Sequence, residues 1–594
     1  MTARRPARIF SIAPGVPFLA TLAKSLVSGE LVRGFRFDGD PLALADATIY
    51  VPTRRAARAL RSAFVDLGEG KPAILPVIRA LGEFDEDGSI LDGTLPDVAD
   101  IAPPVEPLER VLLLAPLVQA WKRRLPGHVA QLYGEEVIVP ASLADAIWLA
   151  RDLATLIDDI ETEAADWSRL GELVPASLAG WWQVTREFLE IVTSLWPQVL
   201  AERSRSDPAA HRNARIRAEA ARLAARPPIG PVIAAGSTGS IPATADLLSV
   251  IARLEAGAVV LPGLSRDPDE RSWSVIRGER PAPSVLGHPQ YGLARLLGRI
   301  GVGRDEVVDI GTPQPALAWR RSLIDEALRP AETTDLWVER RAAFPASDVA
   351  AAFAGVSLVE APNERDEAGA IAVALRLAVS EPGRTAALVT GDRNLARRVA
   401  AELGRFGIRA DDSGGAPLSS TAPAGLLALM LEAVFRPGDP VPVLALLKHP
   451  LLRLARERSV VRTAAETIEL VALRGATGRP DIATLGMLFE TRLEGIAAEA
   501  RKPVWHARVT DARRQAARGV LAALDEALKG LVACRRTVRP HGDLARITIA
   551  ALETLGRDET GGLSNLYDGD AGERLAGVLR SLIGTQASVD VVSE

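Results

Sequence analysis

Thr48-Ile49-Tyr50-Val51-Pro52-Thr53-Arg54-Arg55-Ala56-Ala57-Arg58-Ala59-Leu60-Arg61 sets a short apolar run directly against a basic amphipathic stretch. The run reads as a strand, Thr53 as a helix cap and residues 54 to 67 as a helix. On that helix Ala57, Leu60 and Phe64 share one face, while Arg54, Arg58 and Arg61 recur at i, i+4 and i+7 on another, with Arg55 in the first turn. A helix N-terminus presents unpaired backbone N–H groups and the positive end of its dipole, so a hydroxyl cap followed by arginines suits phosphate. The pattern recurs at Leu388-Val389-Thr390-Gly391-Asp392-Arg393. There Asp392 is the expected cap, Leu395, Val399, Leu403 and Phe406 the apolar face, and Arg393, Asn394, Arg397 and Arg398 the groups left for solvent or ligand.

Working outward, β-rich runs at Arg8 to Ile12, Thr48 to Val51 and Ala73 to Ile78 alternate with helical stretches at Phe18 to Val27 and Arg54 to Leu67, the order of an α/β layer with a parallel sheet. An acidic, proline-rich linker is expected at 83 to 107, and 106 to 228 reads as an all-α insertion. The α/β texture resumes at Val232-Ile233-Ala234-Ala235 and Ala258-Val259-Val260-Leu261, so 1–105 and 229–311 form two parts of one unit. A linker at 312–345 then leads to a second α/β unit at 346–425, with strands expected at Val356 to Val359 and Ala386 to Val389, and a helical region at 426–594.

A chain of 594 residues implies several domains. With 48% hydrophobic and 24% charged residues it has ample material for buried cores, and a net charge of -5 confines any contact with a polyanion to local patches. One such patch is the stretch from Arg203 to Arg226, which follows an acidic run from Asp152 to Asp166; solvated helix faces are the alternative account of both. The single cysteine, Cys534, excludes an internal disulfide and any multi-cysteine metal site within these residues, and a reducing cytoplasm is expected. Pro14, Gly15 and Pro17 interrupt the N-terminal apolar run, and no stretch reads as a bilayer span.

The chemistry of nucleotide hydrolysis is missing where an α/β layer would place it. After the first strand the sequence runs Ala13-Pro14-Gly15-Val16-Pro17-Phe18, with no Gly-Lys-Ser/Thr and with prolines that remove N–H donors; Lys24-Ser25 comes too late. The strand at 232 to 235 runs into Gly236-Ser237-Thr238-Gly239-Ser240, which carries no carboxylate for magnesium. Ser237, Thr238 and Ser240 are instead candidates for holding a backbone phosphate, against the alternative of a plain connection. Asp267 with Asp269 and Asp411-Asp412 read as polar loops, the scattered histidines lack metal-ligand spacing, and Trp181-Trp182 read as packing residues rather than base-stacking ones. No metal, cofactor or nucleophile is expected.

The segments Tyr50-Val-Pro-Thr-Arg-Arg-Ala-Ala-Arg-Ala-Leu60, Ala234-Ala-Gly-Ser-Thr-Gly-Ser-Ile-Pro-Ala-Thr-Ala-Asp246, Val259-Val-Leu-Pro-Gly-Leu264, His288-Pro-Gln-Tyr291 and Leu388-Val-Thr-Gly-Asp-Arg-Asn-Leu-Ala-Arg-Arg-Val399 resemble the AddB family, the partner subunit in AddAB helicase-nucleases, in its alphaproteobacterial form. The resemblance implies two RecA-like helicase-type units of superfamily 1 character with inserted all-α domains. It implies an AddA helicase-nuclease partner, single-strand and double-strand DNA ends as ligands, and a part in recombinational repair of double-strand breaks. By the same likeness Thr53 and Arg54 stand where a helicase grips single-strand backbone, and 386 to 415 resembles a region where an arginine normally senses nucleotide. The family's iron-sulfur cysteines and nuclease motif do not occur in these residues, so both cofactors would lie in a C-terminal part beyond Glu594. The expectation is a helicase-like portion without its own ATP hydrolysis. An active helicase and a protein scaffold without DNA contact are the alternatives.

Overall fold

The computed structural model describes residues 6–37, 40, 42–68, 73–81, 101–133, 142–167, 179–278, 281–474, 479–585 and 590–592, with side chains up to 125 in helix Pro107–Tyr133 and from 185 in helix Ala179–Glu190. Most of the expected linker at 83 to 107 and the side chains of Trp181 and Trp182 lie outside the described residues. The chain divides into two units, one of Met1–Val105, Thr155–Ala176 and Thr193–Glu360, the other of Glu106–Ala154, Ser177–Val192 and Ala361–Glu594. The helical stretch 106–228 is therefore shared between them.

The first unit is built on β1 (Ile9–Ile12), α1 (Phe18–Val27), β2 (Thr48–Val51), α2 (Arg54–Leu67), β3 (Val77–Ala80), α3 (Pro208–Ala225), β4 (Val232–Ala235), α4 (Pro242–Ile251), β5 (Gly257–Pro262), α5 (Glu270–Ile276), α6 (Tyr291–Ile300), β6 (Val308–Ile310) and α7 (Pro315–Ala327). Its strands form one parallel sheet in the order β3-β2-β4-β5-β1-β6. Because side chains alternate across a strand, Phe10, Ile12, Ile49, Val51, Ile233 and Val260 pack beneath α1 and α2, while Ile9, Tyr50, Val232, Ala234 and Val259 pack beneath α3, α4, α5 and α6. Both faces are covered, which is why these strands read as continuous apolar runs. The edge strand β6 was not expected from the sequence, and α7 occupies part of the stretch read as a linker.

The sheet order sets where the site lies. β2 is followed by a helix on one face and its neighbour β4 by a helix on the other, and β1 and β5 diverge in the same way. Diverging connections open a crevice at the carboxyl ends of parallel strands, the usual ligand position in such sheets.

The second unit is helical around a core that includes Met430, Phe489, Leu524 and Leu552. Its α8 (Glu364–Val379) and α9 (Arg393–Arg405) pack on each other through Ala368, Ala372, Val399 and Leu403. The strands expected at Val356 to Val359 and Ala386 to Val389 do not form; both segments lack ladder partners, and Leu358 and Val389 are 88% and 94% exposed. Apolar runs acquire strand structure only with a neighbour to share the ladder. A second parallel sheet is therefore absent among the described residues, whose only other sheet is an antiparallel pair, Val538–Pro540 with Asp590–Val592.

Candidate nucleic-acid interface

The first arginine group is built as its sequence implies. Thr53 is extended, and its Oγ1 accepts the Ala56 N–H at 3.1 Å, fixing the start of α2. Ala57, Leu60 and Phe64 are buried against the sheet, leaving Arg55, Arg58 and Arg61 exposed and Arg54 half-buried. Arg61 also donates to the Ile78 carbonyl at 3.3 Å, tying α2 to β3, so part of its function is structural.

The loop after β4 stands beside this helix start. β2 and β4 are adjacent and parallel, with Tyr50 opposite Ala234, so Thr53 and Ser237 leave the same sheet edge. Gly236 has φ +79°, and a Cβ there would lie 3.5 Å from both Pro52 and the Phe18 ring. Ser237 accepts the Gly239 N–H at 3.2 Å, Thr238 packs against Gly292, and Ser240 is exposed. The structure thus brings Thr53, Arg54, Ser237, Thr238 and Ser240 to one edge.

At the neighbouring position, above β1, the space that a phosphate cradle needs is filled by protein. Pro14 packs on Gly263, where a Cβ would fall 3.2 Å from the proline ring, and a Cβ on Gly15, at φ +88°, would fall 3.0 Å from Leu317 of α7. Ser11 accepts the Leu264 N–H at 3.1 Å, and Ser25 is buried and donates to Glu30 at 2.7 Å. These contacts agree with the missing Gly-Lys-Ser/Thr.

Carboxylates do gather after β5, although by sequence Asp267 and Asp269 read only as loop residues and Asp325 carries no signal. Asp267 accepts Arg321 at 3.1 Å and Ser322 at 2.9 Å, and Asp325 accepts the Ser265 hydroxyl at 2.6 Å. Burial pushes the Asp325 carboxyl up to about 6; the Ser265 hydroxyl opposes this and nearby Asp267 reinforces it. Asp269 caps α5 through the Ser272 N–H and pairs with Arg329 at 2.5 Å; burial would raise its carboxyl, but the hydrogen bonds from Arg329 and Ser272 win and hold it at about 2. Every one of these acids is engaged by protein groups that lock α7 to the β5 loop. Among the described residues no group of three or more His, Cys, Asp or Glu side chains is placed to hold a metal ion.

The basic stretch on α3 is partly internal. Glu219 is fully buried and accepts two hydrogen bonds from Arg222, at 2.7 and 2.8 Å, one from Arg79 at 3.4 Å and one from the Tyr50 hydroxyl. Burial, then the Glu219 carboxylate, drives the Tyr50 hydroxyl above the ordinary phenol range. Arg222 is thus a core ion-pair partner, and Arg212 donates to Thr162 at 2.8 Å.

In the second unit Asp392 caps α9 through the Asn394 N–H at 2.7 Å, but its arginines are committed. Arg393 forms a two-pronged pair with Asp412 at 3.0 and 2.6 Å and donates to the Gly415 carbonyl; Arg398 pairs with Glu364 at 2.6 Å, and Arg397 donates to Asn394. The expectation that Arg393, Arg397 and Arg398 stand open to a ligand is corrected accordingly, and Asp412 is an arginine partner. Across comparisons with known proteins, no family model and no curated protein matches this chain. Among the described residues no helix is long and apolar enough to cross a membrane.

Proposed function

We propose that the first unit binds single-strand DNA along the carboxyl edge of its parallel sheet, gripping backbone phosphates without hydrolysing nucleotide. The observation that carries this reading is the pairing, on adjacent strands β2 and β4, of a threonine-capped arginine helix with a Gly/Ser/Thr loop, next to a β1 loop packed by Pro14, Leu317 and Phe18. A phosphate needs N–H, hydroxyl and guanidinium donors, which the first pair of elements supplies; a triphosphate with magnesium needs an open cradle and carboxylates, which the packed loop does not offer.

The likeness to the AddB family extends this reading to a helicase-like subunit that docks on an AddA motor and guides DNA ends in double-strand break repair. In that role the chain supplies grip and guidance and its partner the motor. The test is fluorescence anisotropy with a labelled single-strand oligonucleotide. Binding should weaken with rising salt and weaken further in an Arg54→Ala, Arg58→Ala double variant, whose log–log salt slope should fall by roughly 0.7 for each phosphate that is no longer neutralised. Affinity indifferent to both salt and the variant favours a scaffold without DNA contact. Binding of a fluorescent ATP analogue with turnover favours an active helicase.

A further inference from the structure

A cavity of about 690 Å³ opens beside the β4 loop, between α4, α5 and α6, and it continues the edge just described. Continuity runs through contacts within the unit: Pro52 against Gly236, Thr238 against Gly292, Leu296 of α6 against Gly239, and Ser240 in the cavity wall. Tyr291, Arg277, Arg295, Arg299 and Arg304 line it as well.

The arginines are not equivalent. Arg277 pairs with Glu270 at 3.1 Å, Arg299 with Asp246 at 2.7 Å, and Arg304 lies over the Trp273 ring at 4.8 Å with Glu270 at 3.9 Å. Arg295 is exposed, and among the described residues it has no carboxylate partner; its guanidinium lies 5.7 Å from the centre of the Tyr291 ring. A half-buried aromatic ring beside an arginine without an acid is a pair suited to one nucleotide, with the ring or guanidinium plane under the base and the charge toward the phosphate. The other three arginines raise the local potential while their acids limit nonspecific anion capture.

We infer that this groove, resting on the reading above, carries the single strand onward from the β4 loop, with Tyr291 stacking a base and Arg295 contacting its phosphate. The source of the ligand is a nucleic-acid strand rather than a free nucleotide, because the groove is joined to an edge that already offers backbone phosphate donors.

The test uses the full chain and an oligonucleotide containing 5-iododeoxyuridine, which cross-links to stacked aromatic side chains on irradiation. A cross-linked peptide containing Tyr291 is expected, with Tyr291→Ala binding weaker by roughly tenfold and Tyr291→Phe restoring it. Arg295→Glu, an exposed change that leaves the fold intact, should also weaken binding and lower the salt slope by about 0.7 or more. If Arg54→Ala weakens binding while Tyr291→Ala and Arg295→Glu leave it at the wild-type level, the groove assignment is wrong and the helix-start reading survives. If none of these changes alters affinity, both fail. A free thymidine nucleotide that blocks the cross-link at concentrations near those of the oligonucleotide would overturn the strand assignment in favour of a small-molecule pocket.

Discussion

Replacing Glu219 by alanine should destabilise the first unit by about 3 kcal/mol, at the lower end of the cost of breaking a buried ion pair. The carboxylate is 0% exposed, and its arginine partners Arg79 and Arg222 are 11% and 23% exposed. Without it, the buried Tyr50 hydroxyl loses its acceptor, at a cost of roughly 1–3 kcal/mol. The two guanidiniums lose their counter-charge but recover some hydration, which keeps the total from rising further. Tyr50→Phe should cost only about 1 kcal/mol, because Glu219 keeps both arginines. The two changes act on one shared hydrogen bond, so together they should cost less than their sum. Urea unfolding of the four proteins, followed by circular dichroism, gives the cycle. A Glu219→Ala cost below about 1 kcal/mol, or strict additivity with Tyr50→Phe, would refute a buried charge network, and Arg222 would return to the set of arginines available to DNA.

Stability should also depend on pH through Asp325. Its carboxyl rises from 3.8 to about 6 on folding, so the folded chain holds the proton more tightly, and the stabilisation is fully present below about pH 4 and lost as pH rises through about 6. Asp325→Asn, which imitates the protonated acid, should flatten that dependence in thermal melts from about pH 4 to 8; an unchanged profile would count against the assignment. Asp269 has the opposite sign: held at about 2, it stabilises above its unfolded value and loses this as pH falls toward 2, so Asp269→Asn should be less stable than wild type near neutral pH. Thr53→Ala should cost about 1 kcal/mol through loss of the cap, read by urea unfolding, whereas Thr53→Ser should be close to neutral. Arg393→Ala should change oligonucleotide affinity less than about twofold, because its guanidinium already serves Asp412; a weakening comparable to that of the Arg54 and Arg58 variant would restore the second arginine helix to the interface.

What could be read in advance follows from the range of the interactions involved. Strand, cap and helix at 48 to 67 are coded locally: an apolar run, a hydroxyl and a 3.6-residue period coincide with β2, Thr53 and α2. The strands β4 and β5 were legible because burial on both faces demands uninterrupted apolar residues. β6 is harder to read because it is three residues long and two of them, Val308 and Asp309, are exposed. The runs at 356 to 359 and 386 to 389 carry the same apolar signal as true strands, and only the missing neighbour distinguishes them. Partners far along the chain leave no trace at all. Glu219 beside Arg222 looks like a surface pair on a helix, yet its decisive neighbour, Tyr50, is 169 residues away, and Ser265 meets Asp325 across 60. The groove at Tyr291 and Arg295 is hidden for a similar reason: on the sequence they are an ordinary pair four apart, and only the β4 loop's approach to Gly292 joins them to the edge.

Hydrogen–deuterium exchange of the whole chain, with a single-strand oligonucleotide in one arm and magnesium-ATP in another, addresses the central claim most directly. The oligonucleotide should protect the amides around residues 52–58 and 236–240, where the first turn of α2 and the β4 loop meet, and magnesium-ATP should leave residues 13–25 unchanged. Protection of 13–25 by nucleotide, with no effect of DNA at the β2 and β4 loops, would contradict the account.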